Sequence, residues 1–332
     1  MRKALLIQTA FLGDVVLATA LVEKLGYQFP GISIDLLVRK GAEQVLEGHP
    51  KVRQVLLLDK TAPRFSQFLS LVTRIRAERY DVVINLQRFL FTGMLTVLSG
   101  AGRTVGFDKN PASRFFHDRI RHRIGMNEAV GEPWHEVGRN LSLIEPFTDD
   151  RFFHPKVYPS AEAEDHARSL APYITVAPGS VWATKRYPAD RWAEFIRHVP
   201  WDRRILLIGS AADKALCAGI EGAAGHPGIL NLAGTMRLTE TAAYLKHAVM
   251  NYCQDSAPLH LASAVNAPVT AIYCSTVPAF GFSPLSHRSH ILETEEALPC
   301  RPCGLHGLDA CPKGHFRCAQ IDPRRLLSKL DG

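Results

Sequence analysis

The sequence predicts an α/β protein with two doubly wound domains, each built on a parallel sheet. Its apolar runs form two series, one in each half of the chain, and stretches with a helical pattern separate the runs. The runs are short and continuous, which is typical of strands buried on both faces of a parallel sheet. The length of 332 residues also favours about two domains. We expect the two sheets to face a cleft, the usual place for a ligand in such proteins.

The first series predicts five strands. They are KALLIQ, ISIDLLV, VRQVLLLD, YDVVINLQ and the weaker RTVGF. The helical stretches between them predict right-handed βαβ units. The segment 147–160 is rich in proline and charge and has no clear period, so we expect it to link the domains. The predicted N-terminal domain covers residues 1–155 and the C-terminal domain 156–332.

The second series predicts the same alternation of strands and helices. The strand segments are 173–180, 204–210, 229–234, 248–252 and 269–275. The helix segments between them are 189–199, 211–221, 239–248 and 258–265. No sequence repeat relates the two halves, so their predicted likeness is one of architecture.

The composition is that of an ordinary folded protein. Hydrophobic residues make up 46% of the chain and charged residues 21%, which is enough apolar content for a core. No apolar run approaches the roughly 18 residues that a bilayer crossing needs, and we expect a cytoplasmic protein. The net charge of +7 favours anionic partners such as nucleotides, phosphorylated lipids, a membrane face or nucleic acid.

The basic stretch 103–123 suits an acidic or phosphorylated acceptor. Its cations are Arg103, Lys109, Arg114, Arg119, Arg121 and Arg123, against only two acids. Further polar candidates lie at the end of the strand DVVINLQ and in 135–140. The candidate acceptor-binding residues are Gln87, Arg119, Arg121, His135 and Arg139. Ordinary surface salt bridges explain the same residues equally well.

The turn after the first strand, within IQTAFLGDVV, holds one glycine, Gly13, followed by Asp14. A dinucleotide fingerprint would place G-x-G-x-x-G here, so its absence argues against an NAD-dependent dehydrogenase. We expect Gly13 to let the chain bend. We expect Asp14 to cap the first helix.

A second turn, QDS at 254–256, leads from a strand into a helix with Pro258 in its first turn. Free N–H groups and the positive end of the helix dipole favour a pyrophosphate at such a start. Asp255 or Ser256 can cap the helix, and Ser256 and His260 can donate to the ligand. Simple capping with a core-facing histidine explains the pattern equally well.

The loop within 175–192 carries polar groups that suit a diphosphate. They are Ser180, Thr184, Lys185 and Arg186. Cations and hydroxyls can bind a diphosphate and neutralise a leaving group, although the spacing is not that of a P-loop. A solvated basic loop is the alternative. Asp213, after the next strand, can accept from ribose hydroxyls or simply supply an acid at a helix N-terminus.

Four of the seven cysteines lie in the segment 300–318, the cysteine-rich loop, with the pattern C-x₂-C-x₇-C-x₆-C. They are Cys300, Cys303, Cys311 and Cys318. Four thiolates in a Gly/Pro-rich loop can form a tetrahedral structural zinc site. Reduced thiols or a disulfide pair are the alternatives, although a cytoplasmic location argues against disulfides. The other three cysteines suit small core positions.

Taken together, several segments resemble the lipopolysaccharide core heptosyltransferases of glycosyltransferase family 9. The segments are LGDVV, PGSVWATKRYPADRW, NLAGTMRLTETAAYL, DSAPLHLASAVNAPVTAIY and CRPCGLHGLDACPKGHFRC. The last is especially similar to the heptosyltransferase II branch. The resemblance extends over essentially the whole chain and implies a GT-B fold of two Rossmann-like domains. Ala257 departs from the glycine of many relatives, which bears on the detail of donor binding.

The resemblance implies an inverting, metal-independent glycosyltransferase that moves a heptose from ADP-heptose to a lipid A-linked inner-core oligosaccharide. It implies Asp14 as general base and Lys185 at the donor phosphates. The other implied donor-binding residues are Ser180, Thr184, Asp213, Met236, Asp255, Ser256, Ala257 and His260. No cofactor is expected for the chemistry, and structural zinc stays an option for the cysteine-rich loop.

The implied partners are an ADP-sugar, a lipid-anchored anionic acceptor and, transiently, the inner-membrane surface, with no nucleic acid. The implied location is cytoplasmic, peripheral to the inner membrane. Two alternatives stay open. Another GT-B transferase or a nucleotide-sugar epimerase would share the fold and the donor site. A basic, zinc-containing nucleic-acid-binding protein would also fit the charge and the cysteines, and would bind DNA or RNA in a salt-dependent way.

Overall fold

The computed structural model describes residues 1–127 and 131–330. The chain divides into two units, Met1–Tyr158 and Pro159–Gly332. The division therefore falls inside the segment 147–160 that was expected to link two domains. None of the helices in the described residues combines the length and the apolar composition that a bilayer crossing requires.

Unit 1 is built on a six-stranded parallel sheet in the order β3-β2-β1-β4-β5-β6. Its strands are β1 Lys3–Gln8, β2 Ser33–Arg39, β3 Val52–Leu58, β4 Val82–Asn85, β5 Arg103–Phe107 and β6 Asp118–Ile120. Its helices are α1 Leu12–Gln28, α2 Arg64–Ala77, α3 Leu90–Val97 and α4 Glu136–Ser142. A short antiparallel pair, β7 Met126–Asn127 and β8 Glu132–Pro133, precedes α4. The five predicted strands are confirmed, whereas β6 was not predicted.

Unit 2 repeats this plan with the strand order β11-β10-β9-β12-β13-β14. Its strands are β9 Tyr173–Ala177, β10 Arg204–Leu207, β11 Ile229–Asn231, β12 Met250–Gln254, β13 Val269–Tyr273 and β14 Ser289–Glu293. Its helices are α5 Ala161–Leu170, α6 Ala189–Arg197, α7 Lys214–Ala224, α8 Leu238–His247, α9 Ala257–Ala264 and α10 Pro323–Leu327. All strand pairs in this sheet are parallel, as predicted.

The continuous apolar runs form the central strands because both of their faces are covered. Ala4, Leu5, Leu6 and Ile7 of β1 have no exposed surface, and neither do Ile174 and Val176 of β9. Burying an aliphatic side chain of this size stabilises the fold by about 1.5–3 kcal/mol. This covering by helices on both faces is what a doubly wound parallel sheet requires.

The strand order places one switch point in each sheet. In unit 1, β1 lies between β2 and β4, and in unit 2, β9 lies between β10 and β12. The chain leaves the two central strands toward opposite sides at these points, which opens a crevice at their carboxyl ends. Ligands of open α/β sheets bind in such crevices. The turns after β1, β4, β9 and β12 are therefore the places to look for functional side chains.

Candidate functional site

Asp14 lies in the first turn of α1, just beyond the carboxyl end of β1. The expectation that Asp14 caps this helix is wrong, because Phe11 is the N-cap residue. Gly13 is already helical, so the chain bends before it and not at it. The half-buried Asp14 carboxylate lies near the positive end of the helix dipole, where a negative charge is favourable. Its position places an acid at the switch point of unit 1.

A buried pair of glutamines lies at the same edge of the sheet. The Gln87 amide, beyond β4, donates a hydrogen bond to the side-chain oxygen of Gln8, the last residue of β1. That oxygen also accepts from the N–H of Ala10 at 3.3 Å. The pair thus ties β4 to the turn that leads into α1. Gln87 was predicted as a site residue and Gln8 was not. The sequence signal that could have identified Gln8 was a polar residue at the end of an apolar strand.

A basic pocket of about 460 Å³ lies beside β6. Its lining residues are Arg119, Ile120, Arg121, Arg123, Ser142, Glu145 and Pro146. The structure thus brings together two of the predicted acceptor residues, Arg119 and Arg121. Arg103, in the same basic stretch, is committed elsewhere, because its guanidinium binds the Asp118 carboxylate and lies 4.7 Å from the Phe147 ring centre.

The other two predicted acceptor residues have structural contacts. His135 is the N-cap of α4, and its Nδ1 accepts from the N–H of Val137 at 3.1 Å. Arg139 is buried and donates to Glu136 Oε2 at 2.6 and 2.8 Å and to the Trp134 carbonyl at 2.6 Å. These contacts satisfy the Arg139 guanidinium within unit 1. Acceptor binding by His135 and Arg139 stays a prediction.

An ion pair joins two predicted donor residues of unit 2 at its switch point. Lys185 Nζ lies 2.6 Å from Asp255 Oδ2 and 3.4 Å from the Asp255 carbonyl oxygen. Thr276 Oγ1 donates to the same carboxylate oxygen at 2.7 Å. The side chains are only 15% and 9% exposed. The pair fixes a cation beside the start of α9, which Asp255 precedes by two residues.

The first turn of α9 offers a backbone N–H group. Ser256 is the N-cap residue, but its hydroxyl donates to the Gln254 carbonyl at 3.4 Å and does not accept from the helix. Of the two predicted cap residues, Asp255 and Ser256, it is Ser256 that occupies the N-cap position, although its side chain makes no capping hydrogen bond. Ala257 and Pro258 open the helix, as the proline position predicted. Pro258 has no N–H and that of Leu259 donates to the Ser256 carbonyl at 3.1 Å, so Ala257 supplies the N–H of this turn that suits an anion.

His260 lies one turn into α9 and is buried. Its Nδ1 has no hydrogen-bond partner among the described residues. Burial lowers the pKa of His260 to about 4, against the opposing effect of the nearby Asp255 charge. The residue therefore stays neutral at neutral pH and presents an unused ring nitrogen close to the Lys185–Asp255 pair.

The low pKa of His260 predicts a pH-dependent stability. In the unfolded chain a histidine titrates near 6.5, whereas folded His260 resists protonation down to about 4. The contribution of neutral His260 to the free energy of unfolding is therefore complete above pH 6.5 and is lost as the pH falls toward 4. We expect His260→Gln to remove about 2 kcal/mol of the loss in unfolding free energy between pH 7 and 5. Urea unfolding at both pH values measures this, with the exposed His198→Gln as control. An unchanged pH dependence would contradict the assignment.

Thr184 is buried and joins the Lys185 turn to the cysteine-rich loop. Its Oγ1 accepts from Ser275 Oγ at 2.9 Å and from the N–H of Leu308 at 2.8 Å. Its own N–H donates to the Leu308 carbonyl at 3.0 Å. Gly307, with φ of +82°, packs so closely that a Cβ there would lie 3.2 Å from Lys185 Cγ. The cysteine-rich loop therefore supports the turn that carries Lys185.

Arg301, which was not predicted as a site residue, binds the segment 273–276 beside the ion pair. Its guanidinium donates to carbonyl oxygens of the segment 273–276 at 2.6, 2.7 and 3.2 Å. It also binds the Glu293 carboxylate. The segment it fixes carries Thr276, which donates to Asp255. Arg301 thus positions the ion pair through one intervening residue.

Replacing Arg301 with lysine is expected to lower the free energy of unfolding by about 1–3 kcal/mol. A single ammonium cannot span the carbonyls that the guanidinium binds, so buried acceptors lose their donors. Urea unfolding of Arg301→Lys measures the effect. Arg317→Lys is the matched control, because Arg317 pairs with Glu296 on the surface and should cost less than about 0.5 kcal/mol. Equal stability of the two variants would rule out this role of Arg301.

Asp213 forms a capping box with Ser210 at the carboxyl end of β10. Its Oδ2 accepts from the Ser210 N–H at 2.8 Å and from Ser210 Oγ at 2.7 Å. The carboxylate packs against Gly179 and Gly209, where an added Cβ would clash with it. Asp213 thus serves as the acid at a helix start. Its contact with a ribose stays a prediction, as does the adenine contact of Met236.

The cysteine-rich loop contains free thiols. Cys300 Sγ lies 3.7 Å from His315 Nε2, and Cys303 Sγ donates to the Cys300 carbonyl at 3.4 Å. Backbone N–H donors, that of Phe316 foremost, lower the pKa of Cys311, and burial raises the pKa of Cys318 to about 11. In residues 1–127 and 131–330, no three His, Cys, Asp or Glu side chains come together as metal ligands. The structural zinc site at these four cysteines stays a prediction.

The fold and the Lys185–Asp255 site agree with a known family. The sequence model of glycosyltransferase family 9 (heptosyltransferase) matches residues 68–305, more than two-thirds of the chain. The protein belongs to glycosyltransferase family 9. The matched range contains the whole Lys185–Asp255 site, whereas Asp14 lies before it.

Individual family 9 members match most of this glycosyltransferase. Lipopolysaccharide heptosyltransferase 1 of Pseudomonas aeruginosa is 28% identical, over 91% of this chain and 86% of its own length. The structure of ADP-heptose LPS heptosyltransferase II of Escherichia coli has a TM-score of 0.80 at 21% identity, covering 99% of this chain and 97% of that one. Escherichia coli heptosyltransferase WaaC with ADP has a TM-score of 0.70 at 20% identity, covering 87% and 93%. These structures confirm the GT-B fold that the resemblance implied.

Proposed function

We propose that this family 9 glycosyltransferase moves a heptose from ADP-heptose to a lipid A-linked inner-core oligosaccharide, with inversion at the anomeric carbon. The observation that carries the proposal is the mostly buried Lys185–Asp255 pair beside the start of α9. The pair supplies a fixed cation, and the start of α9 supplies the Ala257 N–H, both at the switch point of unit 2. A leaving diphosphate needs this combination of donors. The names of similar proteins, heptosyltransferases with ADP or ADP-heptose in their titles, support the choice of donor.

On the donor side, Lys185 and the first turn of α9 bind the diphosphate. As the bond to the anomeric carbon breaks, negative charge grows on the phosphate oxygens and positive charge on the sugar. Fixed donors stabilise that charge without having to reorganise. Asp255 orients the ammonium of Lys185, and Thr276 orients Asp255. Ser180, Ala257 and the neutral His260 complete the predicted donor contacts.

On the acceptor side, Asp14 takes the proton from the attacking hydroxyl. The hydroxyl oxygen forms a bond to the anomeric carbon on the face opposite the departing ADP. A positioned carboxylate base typically contributes about 10²–10⁴-fold to the rate. The Gln8–Gln87 pair supports the turn before α1 and so keeps Asp14 in place. This chemistry uses protein groups only, and we propose that no cofactor takes part.

The basic pocket lined by Arg119, Arg121 and Arg123 suits the anionic groups of the acceptor. Guanidinium groups bind carboxylates and phosphates through paired hydrogen bonds. The name of the Pseudomonas aeruginosa relative, lipopolysaccharide heptosyltransferase 1, supports a lipopolysaccharide acceptor. We therefore propose that the protein acts in the cytoplasm at the inner-membrane face, where a lipid-anchored acceptor would be present.

Nucleotide binding separates this proposal from its alternatives. We expect the protein to bind ADP at least about tenfold more tightly than UDP or GDP, measured by titration calorimetry. A preference for UDP would favour a transferase or epimerase with another donor. Binding of DNA or RNA that weakens steeply with salt, without binding of any nucleotide diphosphate, would favour the nucleic-acid alternative.

A further inference from the structure

Four large apolar side chains are exposed to solvent at the starts of α2 and α3. They are Phe65, Leu69, Phe89 and Leu90, with exposed fractions between 49% and 75%. Single exposed apolar residues are normal on protein surfaces, whereas a group of them on adjoining elements marks an interaction site. We call this group the α2–α3 apolar surface.

The two helices that carry the α2–α3 apolar surface contact each other. The ring centroids of Phe68 and Phe91 lie 5.4 Å apart in an edge-to-face arrangement. Both residues are partly buried and pack against the core of unit 1. Phe65 and Leu69 are four residues apart, so they share one face of α2. Phe89 and Leu90 directly precede Phe91. The inward-facing phenylalanines therefore fix the outward-facing side chains on neighbouring helix starts.

The charged residues next to these side chains in the sequence are cations. Arg64 precedes Phe65 and Arg88 precedes Phe89. Arg74 and Arg76 lie in the last turn of α2, away from these side chains, where Arg76 donates to the Leu98 carbonyl at 3.2 Å. The nearest acid before α2, Asp59, is already paired with Lys40 at 2.9 Å. Apolar side chains flanked by cations suit a partner that is itself apolar beneath a negative surface.

We propose that the α2–α3 apolar surface docks on a bilayer that contains anionic phospholipid. Phe65, Leu69, Phe89 and Leu90 enter the boundary between headgroups and acyl chains, and Arg64 and Arg88 lie among the phosphates. A second copy of this chain is a poorer occupant, because pairing the surface with itself would bring arginines together with no acid to balance them. This docking rests on the proposed function in one respect. A lipid-anchored acceptor is the reason for the enzyme to bind a membrane.

Vesicle flotation with the full chain tests the proposal without nucleotide or acceptor. We expect binding to vesicles of phosphatidylethanolamine and phosphatidylglycerol, and at least about tenfold weaker binding to phosphatidylcholine vesicles. Phe65→Ser combined with Leu69→Ser should weaken binding to the anionic vesicles at least about tenfold. Trp201→Ser is the matched control, because Trp201 is 74% exposed but lies in unit 2. It should bind like the wild type, and circular dichroism checks that all variants are folded.

Several results would overturn the proposal. One is equal binding of the wild type to anionic and neutral vesicles, and another is unchanged binding by the double variant. A third is a wild-type dimer that the double variant dissociates, with no vesicle binding by either, which would assign the surface to self-association. Because the assay contains no substrate, failure of heptosyl transfer would leave its result intact. Failure to bind vesicles would equally leave the donor chemistry intact.

Discussion

Asp14→Asn should lower the turnover of this glycosyltransferase by about 10²–10⁴-fold. The amide keeps the size of the side chain but cannot take the proton of an acceptor hydroxyl. Because Asp14 belongs to unit 1 and the predicted donor residues to unit 2, the affinity for ADP should stay within about twofold of the wild type. Single-turnover rates and calorimetric titration with ADP measure the two quantities separately.

Asp150→Asn is the matched control for Asp14→Asn. Asp150 is an exposed acid of the same unit, and its loss should change neither turnover nor nucleotide affinity. Near-normal turnover in Asp14→Asn would remove Asp14 as the base. A parallel loss of ADP binding would instead give it a role in donor recognition.

Lys185→Ala should weaken both ADP binding and turnover, with a fall of at least about 10²-fold in kcat/KM. Two effects act in the same direction. The leaving diphosphate loses its cation, and the Asp255 carboxylate, 9% exposed, stays next to the phosphates without its partner. A buried charge without its partner is costly, so the variant should also be less stable.

Lys246→Ala separates the specific effect of Lys185→Ala from a general loss of charge in unit 2. Lys246 pairs with Glu164 at 2.6 Å on the surface, where such pairs contribute little. We expect its kcat/KM to match the wild type. If Lys185→Ala binds ADP as tightly as the wild type while remaining folded, the assignment of the diphosphate to Lys185 is wrong.

The central strands could be predicted from the sequence because strands that are buried on both faces consist of continuous apolar runs. The run YITVA forms β9 and the run KALLIQ forms β1, both fully or almost fully buried. The sixth strand of each sheet could not be predicted. β6 has three residues and β14 reads SHILE, and both lie at a sheet edge where half of the side chains need not be apolar. The helix α5 was also missed, although Ser160 caps it and Glu162 follows.

The candidate site shows the same division between local and tertiary information. Lys185 and Asp255 were singled out because each follows a strand in a turn suited to phosphate, and the structure brings them to 2.6 Å. Thr276 and Arg301 were not, because their roles depend on which carbonyls and carboxylates the fold brings to them. The cap of α1 was misassigned to Asp14 because the helix begins two residues earlier, after an aromatic N-cap that has no sequence signature.

Direct transfer from ADP-heptose to a heptose-deficient, lipid A-linked inner core tests the proposed reaction. We expect an acceptor product heavier by one heptose unit, the release of one ADP for each sugar transferred, and inverted anomeric configuration. UDP-sugars should give no product under the same conditions. Transfer from a UDP-sugar in place of ADP-heptose, or epimerisation of the free nucleotide sugar without any acceptor product, would contradict it.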